Sequence, residues 1–257
     1  MLGTPQPGRM NVTMVACYGD KPPALARFIE TAQGRLGASL PSFVPYDIRQ
    51  VHGTIIGLEG SHLPEGDGVV NANYLALRGE RRLMDLARAF DLVRRSPRIP
   101  LRVQIGGFPP GPQPPFVSRG RHPYERSFSI SGESVVAMGW PHVDGRFTAP
   151  LAGLRRDLES VGVLHKYHAA VDAMDDDFFF VLGCVRQGDP SEDALRTVTD
   201  GLRASMARAR PFEVVVDLRD IHVVGYMDPA LPLETSVSYR LPSLDLASLV
   251  ALYPVGH

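Results

Sequence analysis

The chain has 257 residues, a formal net charge of −1, and is 44% hydrophobic and 21% charged. That is an ordinary globular composition with length enough for a sizeable core, which excludes extended disorder and a global basic field that would draw in nucleic acid. No run reaches the ~18 apolar residues that span a bilayer, and Met1 to Met10 is polar rather than a signal peptide, so a soluble, cytoplasmic protein without a membrane partner is expected.

Residues 1–9 are expected to be a disordered leader, and Met10–Tyr18 the first strand. Pro22 and Pro23 open a helix whose Leu25, Phe28, Ile29, Ala32 and Leu36 recur at helical spacing. Residues 50–58 read as a buried strand, residues 80–94 as an amphipathic helix buried through Leu83, Leu86, Ala87 and Phe90, and Ile99–Ile105 as a strand. The Pro/Gly block from Gly106 to Pro115 reads as an exposed connection and marks a lobe boundary near 106–116. Phe128–Ile130 and Val135–Trp140 form a hairpin about Ser131-Gly132-Glu133, and Leu151, Leu154, Leu158 and Val161 mark a third helix. Phe178–Val185 is a second buried strand, followed by a helix opened by Asp189 and Pro190. Strands over 212–218, 221–226 and 235–241 close the chain, with 242–257 as a tail. Cys17 and Cys184, without CxxC spacing, read as reduced core residues.

The chemistry-bearing stretch is Gln50-Val51-His52-Gly53-Thr54-Ile55-Ile56-Gly57-Leu58. Period-2 alternation puts His52 and Thr54 on one face, joining an imidazole that titrates near neutrality to a hydroxyl that donates to a phosphoryl oxygen. Gly53 between them would permit close approach of a ligand to the backbone. With 8 His in the chain, about one H-x-[ST] arises by chance, so a core histidine bound to a carbonyl is the competing reading. Ser118 to Arg126 gathers Arg119, Arg121 and Arg126 around His122, either a solvated loop or a local phosphate contact.

Each half of the chain runs strand, helix, buried strand, amphipathic helix, strand. This repeat predicts a single α+β domain over residues 10–241, two-lobed and pseudo-symmetric. Antiparallel-rich sheets would face each other across a cleft, with helices outside and the His52 and Phe179 strands related by a pseudo-twofold.

This order resembles the 2H phosphoesterase superfamily, which includes the RNA 2′,3′-cyclic phosphodiesterases once called 2′-5′ RNA ligases. VHGTIIGL is similar to that family's first motif, SVVAMGWP to its mid-chain strand, and PFEVVVDLRDIHVVGYMDPALPLETSVSYRL to its closing strands. The resemblance implies a phosphodiesterase acting on a 2′,3′-cyclic phosphate, a 2′-5′ linkage or a cyclic nucleotide by metal-independent acid/base chemistry. His52 would be one acid or base and Thr54 a phosphate ligand. The second motif departs from the pattern: Phe179 stands where the family has histidine and Val181 where it has Ser or Thr.

His168 is the preferred substitute, since it alternates with Tyr167 and shares a face with Lys166; His165 and His222 are alternatives, and a structural role for each stays open. The other function reading is a catalytically degenerate module that binds a nucleotide or RNA end, with Phe179 and Val181 as an apolar wall and Arg119 and Arg121 as backbone contacts. His62, His142 and His257 lie in loops or at the terminus and carry no functional reading. No metal-ligand spacing, P-loop or dinucleotide fingerprint occurs, so no metal and no cofactor is expected. Oligomeric state is not set by these residues.

Overall fold

In chain order the elements are β1 (Asn11–Ala16), α1 (Pro23–Ser39), β2 (Phe43–Pro45), β3 (Gly53–Gly57), β4 (Gly60–His62), β5 (Val69–Asn71), α2 (Ala72–Arg78), α3 (Leu86–Arg95) and β6 (Leu101–Ile105). There follow α4 (Pro123–Arg126), β7 (Phe128–Ser131), β8 (Ser134–His142), α5 (Pro150–Glu159), β9 (Phe178–Val185), α6 (Glu192–Arg208), β10 (Phe212–Val216), β11 (Ile221–Tyr226), β12 (Val237–Arg240) and α7 (Leu246–Val250). This computed structural model describes residues 8–64, 68–186 and 190–256. The expected leader therefore lies outside the described residues apart from Gly8 and Arg9, as do Asp189 and His257.

The fold is α+β. Its main sheet is antiparallel in the order β10-β6-β8-β9-β3-β1-β11-β12, with β2 added to β9 and β7 to β8, and β4 and β5 form a separate ribbon. The chain's two halves exchange strands: β2 and β6 leave the first half to pair with β9 and β8, and β11 returns to pair with β1. Two separate sheets were expected, but the half-sheet β3-β1-β11-β12 meets the half-sheet around β8 and β9 through one register pair between β3 and β9, Gly53 to Phe180. Phe178 is what makes this junction specific. A Cβ on Gly53 would lie 2.0 Å from its ring, so the absent side chain at Gly53 accommodates the core rather than a ligand.

α1, α3, α5 and α6 bury their stripes in one core on one face of the sheet. Alternation then sends the intervening strand residues to the other face, where Val15, Val224 and Tyr226 form one satellite cluster and Met138, Trp140, Val136 and Phe179 another. The Pro/Gly block contributes to the second cluster. Its prolines stay near the surface, but Phe108 is buried and meets Trp140 edge-on at 5.0 Å, with Phe116 at 5.2 Å. Burying Phe108 and half-burying Phe116 offsets the backbone's exclusion from regular structure.

Several boundaries move for local reasons. The helix expected over 80–94 is α3, which starts only at Leu86 because Asp85 caps it, and a further helix, α2, capped by Asn71 and ended by left-handed Gly79, precedes it. Leu83 is consequently exposed, Ala87 also, and Ala89 takes the core position. α6 opens at Ser191, whose hydroxyl accepts from the Ala194 amide. The tail is packed: Leu249, Leu252 and Tyr253 are buried, and the Met10 amide donates to the Leu252 carbonyl at 3.0 Å. Cys17 and Cys184 are free thiols, and burial pushes Cys17 up to about 12. Among the described residues no helix is long and apolar enough to cross a membrane, and no cluster of His, Cys, Asp and Glu suits a metal ion.

Candidate functional site

A cavity of about 740 Å³ opens over the junction of the two half-sheets. It is lined from the first half by Thr13, His52, Thr54, Glu59 and Tyr226, and from the second by Ser129, Ser131, Ser134, Val136, Met138, Phe179 and Val181. A smaller cavity of about 380 Å³ between α1 and α6 contains neither histidine nor carboxylate in its lining. The larger one holds the polar chemistry.

The pseudo-twofold holds at the level of register. Val15 lies opposite Thr54 with a bulge at Met14/Val15, and Val136 lies opposite Val181 with a bulge at Val135/Val136. Ala16 pairs with Gly53 as Ala137 pairs with Phe180. It follows that His52 corresponds to Phe179, Thr54 to Val181 and Thr13 to Ser134. Continuing the Gly53–Phe180 pairing by one residue each way sets Thr54 beside Phe179 and His52 beside Val181, so His52 and Phe179 are diagonal neighbours, about 7–8 Å apart in a regular antiparallel pair.

His52 precedes the first residue of β3 and has 8% of its surface exposed. Its Nδ1 lies 2.7 Å from the Gln50 carbonyl oxygen. A carbonyl only accepts, so Nδ1 carries the proton and Nε2 keeps a lone pair. Burial holds the imidazole down at about 4, against the raising effect of the Gln50 contact. The ring is therefore neutral near pH 7, with Nε2 available as a proton acceptor. The Tyr18 ring meets both His52 and His222 edge-on, at 6.2 and 6.0 Å. His222 is outside the cavity and bonds Ser238 through Nδ1.

Arg155 sets the strand that carries Thr54. Fully buried, it donates to the carbonyls of Thr54 (3.0 Å), Ile55 (2.8 Å), Asp175 (2.7 Å) and Asp177 (3.2 Å), and to Asp175 Oδ2 (2.8 Å). One side chain thus ties α5, β3 and the entry to β9 together. The sequence signal was a charge on the otherwise apolar inner stripe of Leu151, Leu154 and Leu158. The acidic turn is likewise a set of braces rather than a ligand cluster. Asp175 bonds His165 Nε2 at 2.9 Å, Asp176 accepts from the Ala152 amide at 2.8 Å at the start of α5, and Asp177 accepts from Ser118, Trp140 and Arg126.

His168 does not reach the cavity, which corrects its expected role as second acid or base. Its side chain is sealed, with Nδ1 2.7 Å from Glu159 Oε1, while its carbonyl accepts from Arg78 at 2.9 Å. Burial, only partly offset by Glu159, lowers its basicity. His165 does touch the cavity lining, but it is 1% exposed, and burial beside Arg155 keeps it neutral. With Nε2–H donated to Asp175, its Nδ1 is buried without a partner.

The two histidines anchor a tight turn. The His168 amide donates to the His165 carbonyl at 2.9 Å, leaving Lys166 and Tyr167 at the corners, both on the cavity wall. Lys166 Nζ lies 5.3 Å from the centre of the Phe179 ring and 5.0 Å from that of Tyr167, and Arg119 covers Tyr167 at 3.9 Å. Neither Lys166 nor Arg119 has a carboxylate within salt-bridge distance among the described residues. Of the basic cluster, Arg119 and Arg126 line the cavity, Arg126 is committed to Asp177, and Arg121 lies outside it. Thr54, Phe179, Val181 and Arg119 are thus brought together with His52, while His168 and Arg121 are not.

No family model matches the chain, and no curated protein matches it. Among solved structures, the crystal structure of TT0787 of Thermus thermophilus is similar over 90% of this chain and 94% of its own, at 15% identity and a TM-score of 0.40.

Proposed function

We propose that the cleft binds a phosphodiester at a nucleotide or RNA end, such as a 2′,3′-cyclic phosphate or a 2′-5′ linkage, and hydrolyses it by side-chain acid/base chemistry. The observation that carries this reading is the state of His52: its Nδ1–H is committed to the Gln50 carbonyl, which leaves Nε2 with a lone pair, and His52 and Thr54 line a cavity that also holds Arg119 and Lys166 without carboxylate partners among the described residues. Nε2 takes the proton of the attacking water, and Thr54 and the cations bind the non-bridging phosphoryl oxygens. An anion bound there also raises the basicity of His52 above its resting level.

A second reading keeps the ligand and drops the turnover. It is favoured by Phe179 and Val181, which remove an imidazole and a hydroxyl from the positions related to His52 and Thr54 by the pseudo-twofold. Incubation of a short RNA ending in a 2′,3′-cyclic phosphate, with and without chelator, separates the two. Hydrolysis that survives chelator and falls about 10²–10⁴-fold in His52→Ala supports the enzyme. Binding of the RNA without turnover supports the module, and neither binding nor turnover rejects both.

A further inference from the structure

Two-sided displacement at phosphorus needs a proton acceptor where water attacks and a donor, or at least a positive charge, where the ester oxygen departs. His52 serves only one side. On the other, the position related to it by the pseudo-twofold is a phenylalanine, which transfers no proton.

The cation that lies over this phenylalanine is Lys166. It arrives from a turn held at both ends by buried histidines, His165 on Asp175 and His168 on Glu159, and by Asn73 Nδ2 on the Leu164 carbonyl at 2.9 Å. The faces of Phe179 and Tyr167 attract its ammonium, and Arg119 on Tyr167 completes the stack. Phe179 is diagonal to His52 across the strand junction, so the ammonium over its ring and the His52 imidazole line the same cavity from its two sides.

We infer that Lys166 stands in for a second histidine as the residue that protonates the leaving oxygen, with Phe179 as its platform. This rests on the phosphodiester reading above. In the step, Nε2 of His52 accepts a proton from water as the new P–O bond forms. The bond to the departing ribose oxygen breaks, and that oxygen takes a proton from Lys166. Solvent then returns one proton to Lys166 and removes one from His52, so that water and the diester become a monoester and a free hydroxyl. Buried His165 and His168 are positioning residues for the turn. The titratable groups on the cavity wall include Arg119, His165, Tyr167 and Asp177, the last occupied by Arg126, Ser118 and Trp140, and the carboxylates of Glu59 and Asp228.

The test compares wild type, Lys166→Met, Lys166→Arg and Phe179→Leu on the cyclic-phosphate RNA across pH. Lys166 is exposed, so its variants leave the fold intact, and far-UV circular dichroism checks this. Lys166→Met is expected to lose about 10²–10⁴-fold in kcat. Lys166→Arg keeps the charge and therefore KM, but loses most of kcat, because a guanidinium does not give up its proton. Phe179→Leu is expected to reduce kcat by lesser amounts. Turnover by wild type with Lys166→Arg equal to it would overturn the proton-donor role and leave the phosphodiester reading standing. Binding without turnover would overturn the donor role too, and no binding would overturn both.

Discussion

Replacing Arg155 with methionine removes the one side chain that holds α5, β3 and the start of β9 in a common frame, and its cost follows from its partners. Asp175 would be left as a buried carboxylate without its cation, since His165 is neutral. Breaking a buried pair from one side costs about 3–5 kcal/mol. Each of the carbonyls of Thr54, Ile55 and Asp177 left without a donor adds about 1–3 kcal/mol unless water reaches it. A loss of about 4 kcal/mol or more is expected, a large part of the ~5–15 kcal/mol by which a domain is stable. Urea unfolding followed by the fluorescence of the single tryptophan measures it, and Trp140 is well placed, its indole donating to Asp177 Oδ1 at 2.8 Å. Arg95→Met, at a side chain 83% exposed, serves as control and should change stability by under about 0.5 kcal/mol. A loss under about 1 kcal/mol for Arg155→Met at unchanged urea dependence would refute the assignment of Arg155 as the brace of the site.

Gly53→Ala should cost about 1–3 kcal/mol, because its methyl meets the Phe178 ring, and Phe178→Leu in the same chain should recover part of the loss; chemical denaturation of the three variants measures both. The depressed basicity of His52 makes stability fall with acidification: the unfolded imidazole protonates near 6.5 while the folded one stays neutral to about 4, so the stability present above pH 6.5 declines by roughly 3 kcal/mol on going down to pH 4 and then levels off. His52→Gln should lack that part of the slope. Asp176, raised to about 7 by burial, works the other way, losing stability as pH rises from about 4 through 7; Asp176→Asn should therefore melt higher than wild type at pH 8 and equally at pH 3.

What the sequence made legible was local. The run Phe178–Val185 and the hairpin about Gly132 carry their own signals of β-branched and aromatic residues around a turn, and both appear where expected. The element order was enough to expect a pseudo-twofold, but not that one register pair fuses the halves, because that depends on Phe178 filling the space left at Gly53. α2 was missed: seven residues carry too little periodicity, and its Asn71 cap and Gly79 stop read like a loop. In the site, strand alternation was sufficient to set His52 and Thr54 on one wall. His168 was misread because its partner, Glu159, sits on a helix that comes before it, and Lys166 was passed over because its stack on Phe179 and Tyr167 is a tertiary contact.

The central claim is that His52 Nε2 faces a phosphodiester. The most direct measurement is a histidine 15N NMR titration of the protein alone and with a saturating, non-hydrolysable nucleotide phosphodiester. The free protein should show His52 as the Nδ1–H tautomer, neutral down to about pH 4, and bound anion should raise its titration midpoint with an altered Nε2 resonance. A His52 resonance and midpoint unmoved by ligand at saturation, or an Nε2–H tautomer in the free protein, would contradict the claim.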